Sequence, residues 1–325
     1  MANRIKEKYM AGKRYFDYPM LFLVIFLICF GLVMIYSTSS YKSTVTYGNS
    51  YHWLLRQAVA IVLGAVAMVV CCKLDYRIIK SEKFGNGCYW ASIVLLVLVL
   101  IIGAAKKGAV RWISIAGFQF QPSEVSKILV VIYLANRLSA NAHKIRTFKD
   151  SIVIVLPTVP IIALIVTQNL STALVVCSMI GVMLFVVSPK MKELMLTAGG
   201  GIILLFVYLL TANSYRNERV QIWLHPESHK KGFQTMQALY AIGSGGIFGK
   251  GLGQSMQKMG FIPESHNDMI FSIICEELGL FGAVCLILVF VALIFRMLLI
   301  ALNTEDLFGS LVVIGFMTHI AIQVF

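Results

Sequence analysis

Residues 213–268, NSYRNERVQIWLHPESHKKGFQTMQALYAIGSGGIFGKGLGQSMQKMGFIPESHND, form the only long polar stretch in a chain otherwise built of apolar runs. The stretch is rich in Gly and in hydrogen-bonding side chains, and its last six residues, Pro263-Glu264-Ser265-His266-Asn267-Asp268, lead directly into a long apolar run. A membrane-spanning segment must satisfy its backbone polar groups internally, so the apolar runs are expected to cross a bilayer as helices. The polar stretch is expected to lie outside it, and any chemistry is expected there.

Composition points the same way. The 325 residues are 58% hydrophobic and 13% charged, with a mean hydropathy of +0.82, whereas a soluble globule carries about 25% charged residues. This predicts an all-α polytopic membrane protein. The net charge of +13 does not indicate a nucleic-acid partner, because the basic residues sit in short clusters between apolar runs, where they set topology. The seven cysteines (Cys29, Cys71, Cys72, Cys88, Cys177, Cys275 and Cys285) lie in or beside apolar runs. They read as small buried residues with no disulfide framework or metal-type spacing.

A helix needs about 20 residues to cross the hydrocarbon core. Nine spans are expected on that basis, near 19–37, 55–72, 87–104, 123–138, 151–167, 172–188, 194–212, 269–299 and 308–325. The first is read as a retained span, since the run from Pro19 to Tyr36 has no small-residue cleavage site. Lys and Arg recur in alternate connections: Arg4 to Arg14, then Lys73 to Lys83, Arg137 to Lys149, and Lys190 with Lys192. A cytoplasmic N-terminus puts all of these on the inner side and makes 213–268 a large extracytoplasmic loop. The loop near 105–122, with Lys106, Lys107 and Arg111, breaks the charge rule and invites a functional reading.

Three local features qualify the spans. Gln168-Asn169-Leu170-Ser171-Thr172 divides one long run into a hairpin, and Pro157 and Pro160 are expected to kink its first helix. Gly199-Gly200-Gly201 allows either close helix approach or a flexible segment. Glu276 and Glu277 fall in the early turns of the eighth span, where unpaired carboxylates are costly, so ion pairs within the bundle are expected for both. No long-period repeat or linker divides the sequence, and 1–325 is read as one domain.

Two outward segments carry a resemblance. The first is Gly108-Ala109-Val110-Arg111-Trp112-Ile113 followed by Gln121-Pro122-Ser123-Glu124-Val125-Ser126-Lys127. The second is Ala241-Ile242-Gly243-Ser244-Gly245-Gly246, Gly249-Lys250-Gly251-Leu252-Gly253, Pro263 through Asp268, and Glu276-Glu277-Leu278-Gly279. In this order, and separated by spans of this topology, they resemble the SEDS family (shape, elongation, division and sporulation), which includes FtsW, RodA and SpoVE. Phe16-Asp17-Tyr18-Pro19 and Gly31 to Ser37 lean toward the division-type member.

The resemblance implies a bundle of ten transmembrane helices, of which nine are visible here. It also implies a peptidoglycan glycosyltransferase that polymerises lipid II, the undecaprenyl-diphosphate-linked disaccharide peptide, at the outer face of the bacterial cytoplasmic membrane. A class B penicillin-binding protein would cross-link the strands, with other division or elongation proteins as further partners. Three departures stand out. Asn169 occupies a position where the family usually has Asp, Met269 replaces the Phe of an Asp-Phe pair, and the sequence stops at Phe325, before the family's Pro-rich outer loop, as a truncated chain would.

Joining an acceptor 4-hydroxyl to an α-linked donor with a β-1,4 product is a single inversion, so one base suffices. The diphosphate leaving group needs cations, from Arg, Lys or a divalent ion such as Mg or Mn. The family's catalytic Asp falls on Asp268, which becomes the candidate base and a possible metal ligand. Read from its residues alone, Ser265-His266-Asn267-Asp268 also spells a helix capping box. Substrate-binding roles are implied for Arg111, Gln121, Glu124, Lys127, Ser244, Gly245 and Glu264. Glu124 and Lys127, three apart on a helix, are placed to pair, and Arg111 can fork two hydrogen bonds to a diphosphate. The glycines from 243 to 253 do not match a Walker motif, and either cradle a diphosphate or form tight turns. Lys230, Lys231, Lys250 and Lys258 are expected to attract an anionic substrate or the lipid surface. Two other functions fit the sequence: a lipid II flippase, favoured by kinked helices and intramembrane Glu276 and Glu277, and a non-catalytic division scaffold.

Overall fold

The computed structural model describes residues 16–106, 109–115, 118–145, 147–188, 199, 221–222, 224–228, 232–263 and 265–324. Its main helices are α1 (Tyr18–Tyr47), α2 (His52–Lys73), α3 (Glu82–Ile102), α4 (Pro122–Asn141), α5 (Phe148–Val155), α6 (Val159–Gln168), α7 (Leu170–Val187), α8 (Phe233–Ser244), α9 (Ile270–Asn303) and α10 (Leu307–Val324). Between α3 and α4 run three short antiparallel strands, β1 (Ala104–Lys106), β2 (Ala109–Ile115) and β3 (Phe118–Phe120), in that order across the sheet.

Among the described residues, seven helices are long and apolar enough to cross a membrane, counting α5, α6 and the turn between them as one. The chain is a multi-pass membrane protein. Helix α4 is not among the seven, and carries Glu124, Lys127 and Arg137. Seven of the nine expected spans fall on these seven helices; the expected span 123–138 falls on α4 instead, and 194–212 with the Gly200-Gly201 pair lies outside the described residues. Pro157 breaks the hairpin's first arm as expected, since α5 gives way to a 3₁₀ turn, Leu156–Thr158, before α6. The hairpin turns at Asn169, whose side chain accepts from Ser171 N at 3.1 Å and caps α7.

Helix α1 runs ten residues past its expected end near Ser37, to Tyr47. In its polar second half the hydroxyls of Thr38 and Thr44 bond back to the helix itself and so need no other partner. Thr38 Oγ1 donates to Met34 O at 2.8 Å and Thr44 Oγ1 to Ser40 O at 2.9 Å. The 213–268 stretch is likewise not all loop, because it contains α8.

The chain divides into two compact units, Met1–Val66 with Ser214–Arg296, and Ala67–Asn213 with Met297–Phe325. In the second unit, Leu96, Leu134, Leu138, Ile161, Ile165, Val176, Met183 and Leu311 form a fully buried core. There the buried Asn136 amide of α4 donates to Ser81 O at 2.8 Å and satisfies the turn before α3. In the first unit, Asp17 caps α1 through Met20 N at 2.9 Å and pairs with Arg296 of α9 at 2.9 Å, tying the two helices together.

Candidate functional site

The expected site residues divide between the units, and each set stands in its own frame. In the first unit the organising element is α9, which is interrupted at Gly279 (φ 67°, ψ −170°). A helix break leaves carbonyls and amides without partners, and in apolar surroundings each is costly. The glycine-rich segment after α8 supplies those partners. Lys250 N and Gly251 N donate to Glu276 O and Glu277 O, both at 2.9 Å, while Leu280 N and Phe281 N donate to Gly246 O and Ile247 O at 2.9 and 3.0 Å.

Backbones this close leave no room for side chains. A Cβ at Gly249 would lie 2.2 Å from Glu277 O, and one at Gly245 would lie 2.0 Å from Cys275 O. Gly245 and Gly249 are therefore explained by contact with α9, and Gly246, Gly251 and Gly253 by the positive φ of tight turns. The amides of Lys250 and Gly251, which a diphosphate cradle would need, are already engaged.

The adjacent carboxylates of Glu276 and Glu277 are both 0% exposed. Glu276 accepts from Lys250 Nζ at 2.7 Å, from Met256 N at 3.3 Å and from the Ser255 hydroxyl. Glu277 accepts from Lys258 Nζ at 2.7 Å and from Ser37 Oγ at 2.8 Å, and Lys258 also donates to Ser37 Oγ at 3.0 Å. The expected ion pairs are present. Lys250 and Lys258, expected as cations for the substrate or lipid surface, are instead their partners, and Lys258 is only 5% exposed. Ser244 joins the same cluster, accepting from Lys250 Nζ at 2.9 Å. Sequence reasoning missed these pairings, although two buried acids side by side demand two cations.

Asp268 stands apart from this network. It is exposed, lies two residues before α9 begins, and has no ion-pair or side-chain hydrogen-bond partner among the described residues. The capping-box spelling does not describe its turn, because Ser265 Oγ donates to Thr38 O of α1 at 3.4 Å and Ile270 N donates to Asn267 O at 3.3 Å. Beside it the buried His266 packs on Trp53. Glu264 lies outside the described residues. A cavity of about 570 Å³ lies between α1 and residues 252–259, lined by Tyr36, Ser37, Tyr41, Lys258 and Met259, but Asp268 is not part of its wall.

In the second unit, Pro122 starts α4 and places Glu124 in its first turn. Lys127 Nζ meets Glu124 at 2.8 Å as expected, with Lys127 1% and Glu124 49% exposed. Arg111, on β2, donates from Nε to Gln168 O at 2.6 Å and caps the end of α6. Gln121 donates to Ser123 Oγ at 3.0 Å.

The family of cell cycle proteins comprising FtsW, RodA and SpoVE matches residues 18–325. This chain belongs to the FtsW/RodA/SpoVE family. It is 35% identical over 320 residues to the probable peptidoglycan glycosyltransferase FtsW of Geobacter metallireducens, covering 95% of this chain and 84% of that one. To the stage V sporulation protein E of Bacillus subtilis it is 35% identical over 318 residues, covering 95% and 85%. Among solved structures it resembles a chain of a peptidoglycan synthase complex described as coordinating polymerization and crosslinking. The TM-score is 0.78 at 29% identity, over 96% of this chain and 86% of that one. The likeness to FtsW/RodA/SpoVE proteins thus extends from sequence to fold, and the expected membership is met.

Proposed function

We propose that this chain is a peptidoglycan glycosyltransferase that polymerises lipid II at the outer face of the bacterial cytoplasmic membrane, with its N-terminus in the cytoplasm. Asp268 is the general base in this reading. It takes the proton from the acceptor 4-hydroxyl as that oxygen attacks the donor's anomeric carbon, and undecaprenyl diphosphate leaves from the opposite face. A single inversion gives the β-1,4 link with no covalent enzyme intermediate.

The observation that carries the reading is the freedom of Asp268. Among the described acids of the polar stretch and the start of α9, Glu227 faces His225 at 3.4 Å, and Glu276 and Glu277 are buried in ion pairs. Only an unengaged, solvent-facing carboxylate is available to accept a proton from a substrate.

The leaving diphosphate needs positive charge. Arg111 and Lys127 are proposed to contribute it, with Glu124 shaping the approach through its bridge to Lys127. Gln121, Ser244, Gly245 and Glu264 are kept as substrate-binding candidates on family resemblance. Among the described residues no three His, Cys, Asp or Glu side chains converge. Among the described residues, Asp268 would be the protein carboxylate that holds a Mg or Mn ion, with substrate oxygens and water as further ligands. When bound, such an ion would neutralise charge on the leaving diphosphate.

A class B penicillin-binding protein is the proposed partner, supported by the likeness to a chain of a peptidoglycan synthase complex. The flippase reading drew on kinked helices and on intramembrane Glu276 and Glu277; the two carboxylates are paired with Lys250 and Lys258, which favours a structural role for them. The test supplies purified full-length protein, its transpeptidase partner, divalent metal and lipid II in detergent, where there are no leaflets to flip between. Glycan from the wild type and none from Asp268→Asn is expected. A wild type that makes no glycan, or an Asp268→Asn that makes as much, overturns the assignment.

A further inference from the structure

We propose that Trp53 is a positioning residue for Asp268, acting through His266; the proposal rests on Asp268 being the base. Asp268 sits in a turn, outside any regular element, and its carboxylate has no ion-pair or hydrogen-bond partner among the described residues. A base that must meet a hydroxyl within hydrogen-bond reach needs its backbone fixed by its neighbours. One neighbour that can do so is His266, two residues earlier, 9% exposed and packed on an aromatic ring.

The His266 ring lies against the Trp53 indole, with centroids 4.9 Å apart and planes inclined at 38°. Trp53 is itself held from several directions at the start of α2. His52 meets it edge-on at 5.7 Å, Tyr47 at the end of α1 meets it at 6.3 Å, and the Arg56 guanidinium sits 5.7 Å from its centroid. Tyr47 and His52 in turn stack at 3.9 Å. This cluster joins the end of α1, the start of α2 and the turn before α9, all within the first unit.

Two features decide between a positioning role and a sugar-stacking platform. A platform needs an open ring face, whereas the half-buried Trp53 ring already has His266 and the Arg56 guanidinium packed on it. Its contacts are also made by the ring, because the indole N–H is buried without a hydrogen-bond partner among the described residues. Ring shape is therefore what the turn requires of position 53, and Phe should supply most of it.

Lipid II polymerisation kinetics and amide hydrogen exchange over residues 265–270 test this in the full-length protein with its transpeptidase partner. Trp53→Ala is expected to lower kcat by about ten- to a hundredfold, the scale of loss when a reacting group is misplaced by about 1 Å. The KM for lipid II should stay within about twofold, and exchange in the turn should accelerate. Trp53→Phe is expected to keep kcat within about threefold of wild type with near-normal exchange. Trp53→Ala combined with His266→Ala should be no worse than either alone, as expected for residues acting through one contact.

Unchanged exchange at 265–270 in Trp53→Ala overturns the positioning role whatever the activity does. A KM rise at constant kcat overturns it in favour of a substrate contact. Faster exchange with unchanged kcat also overturns it, and leaves the assignment of Asp268 to be judged separately by Asp268→Asn.

Discussion

Two acidic regions lie close in sequence around the start of α9. Glu276 and Glu277 are fully buried, and each is held by a lysine and at least one serine. Asp268 is exposed and has no side-chain partner among the described residues. Burying a charge is tolerable only when its hydrogen-bonding capacity is met, and a carboxylate so satisfied is a poor acceptor for anything else. The contrast separates a pair of acids that hold the glycine-rich segment onto α9 from one that remains available to a substrate. Breaking the first should cost stability, and breaking the second should cost activity alone.

The largest expected effect is on catalysis. Asp268→Asn should reduce the rate of glycan synthesis by at least about a hundredfold, the lower range for losing a general base. Its unfolding midpoint in detergent should stay near that of wild type, since an exposed substitution shifts stability by about 0.5 kcal/mol or less. A large fall in midpoint would place Asp268 with the structural acids and erase the contrast.

Glu277→Ala should do the reverse. It strands the Lys258 ammonium, and breaking such a buried pair costs about 3–5 kcal/mol, read as a fall in thermal unfolding midpoint. Adding Lys258→Met should recover much of the loss, because no unpaired charge then remains. A smaller effect is expected at Gly249, where φ is 78° and an added Cβ would meet Glu277 O at 2.2 Å. Gly249→Ala should cost about 1–3 kcal/mol in backbone strain. Glu124→Gln should give the smallest change, about 1 kcal/mol, because Glu124 is half in water and the Gln side-chain carbonyl can still accept from the buried Lys127.

Much of the fold was legible in the sequence for simple reasons. Apolar runs of bilayer length have few ways to satisfy their backbones, and Pro157 cannot donate within a helix, so the spans and the break between α5 and α6 follow from residue type. The second half of α1 was not legible, because Ser37, Thr38, Ser40 and Thr44 read as loop residues until their hydroxyls are seen to bond within the helix or, for Ser37, to reach Glu277. The partners of Glu276 and Glu277 were hidden too, since a loop brings Lys250 and Lys258 to them and no helical periodicity encodes that return. Gly279 gave no warning of a break, as an isolated Gly in an apolar run usually continues the helix. Asp268 was found through family resemblance, while the pairing of Trp53 with His266 depends on an approach between distant segments.

The exchange of hydrogen bonds at Gly279 also bears on how the chain comes to be made. Gly246, Ile247, Lys250 and Gly251 are synthesised well before the residues that pair with them, Glu276, Glu277, Leu280 and Phe281. The glycine-rich segment is made first, and these amides and carbonyls must wait for their partners until α9 has been made. Closing that loop is entropically modest. A chain interrupted before α9 would carry Asp268 on a segment with nothing to fold against.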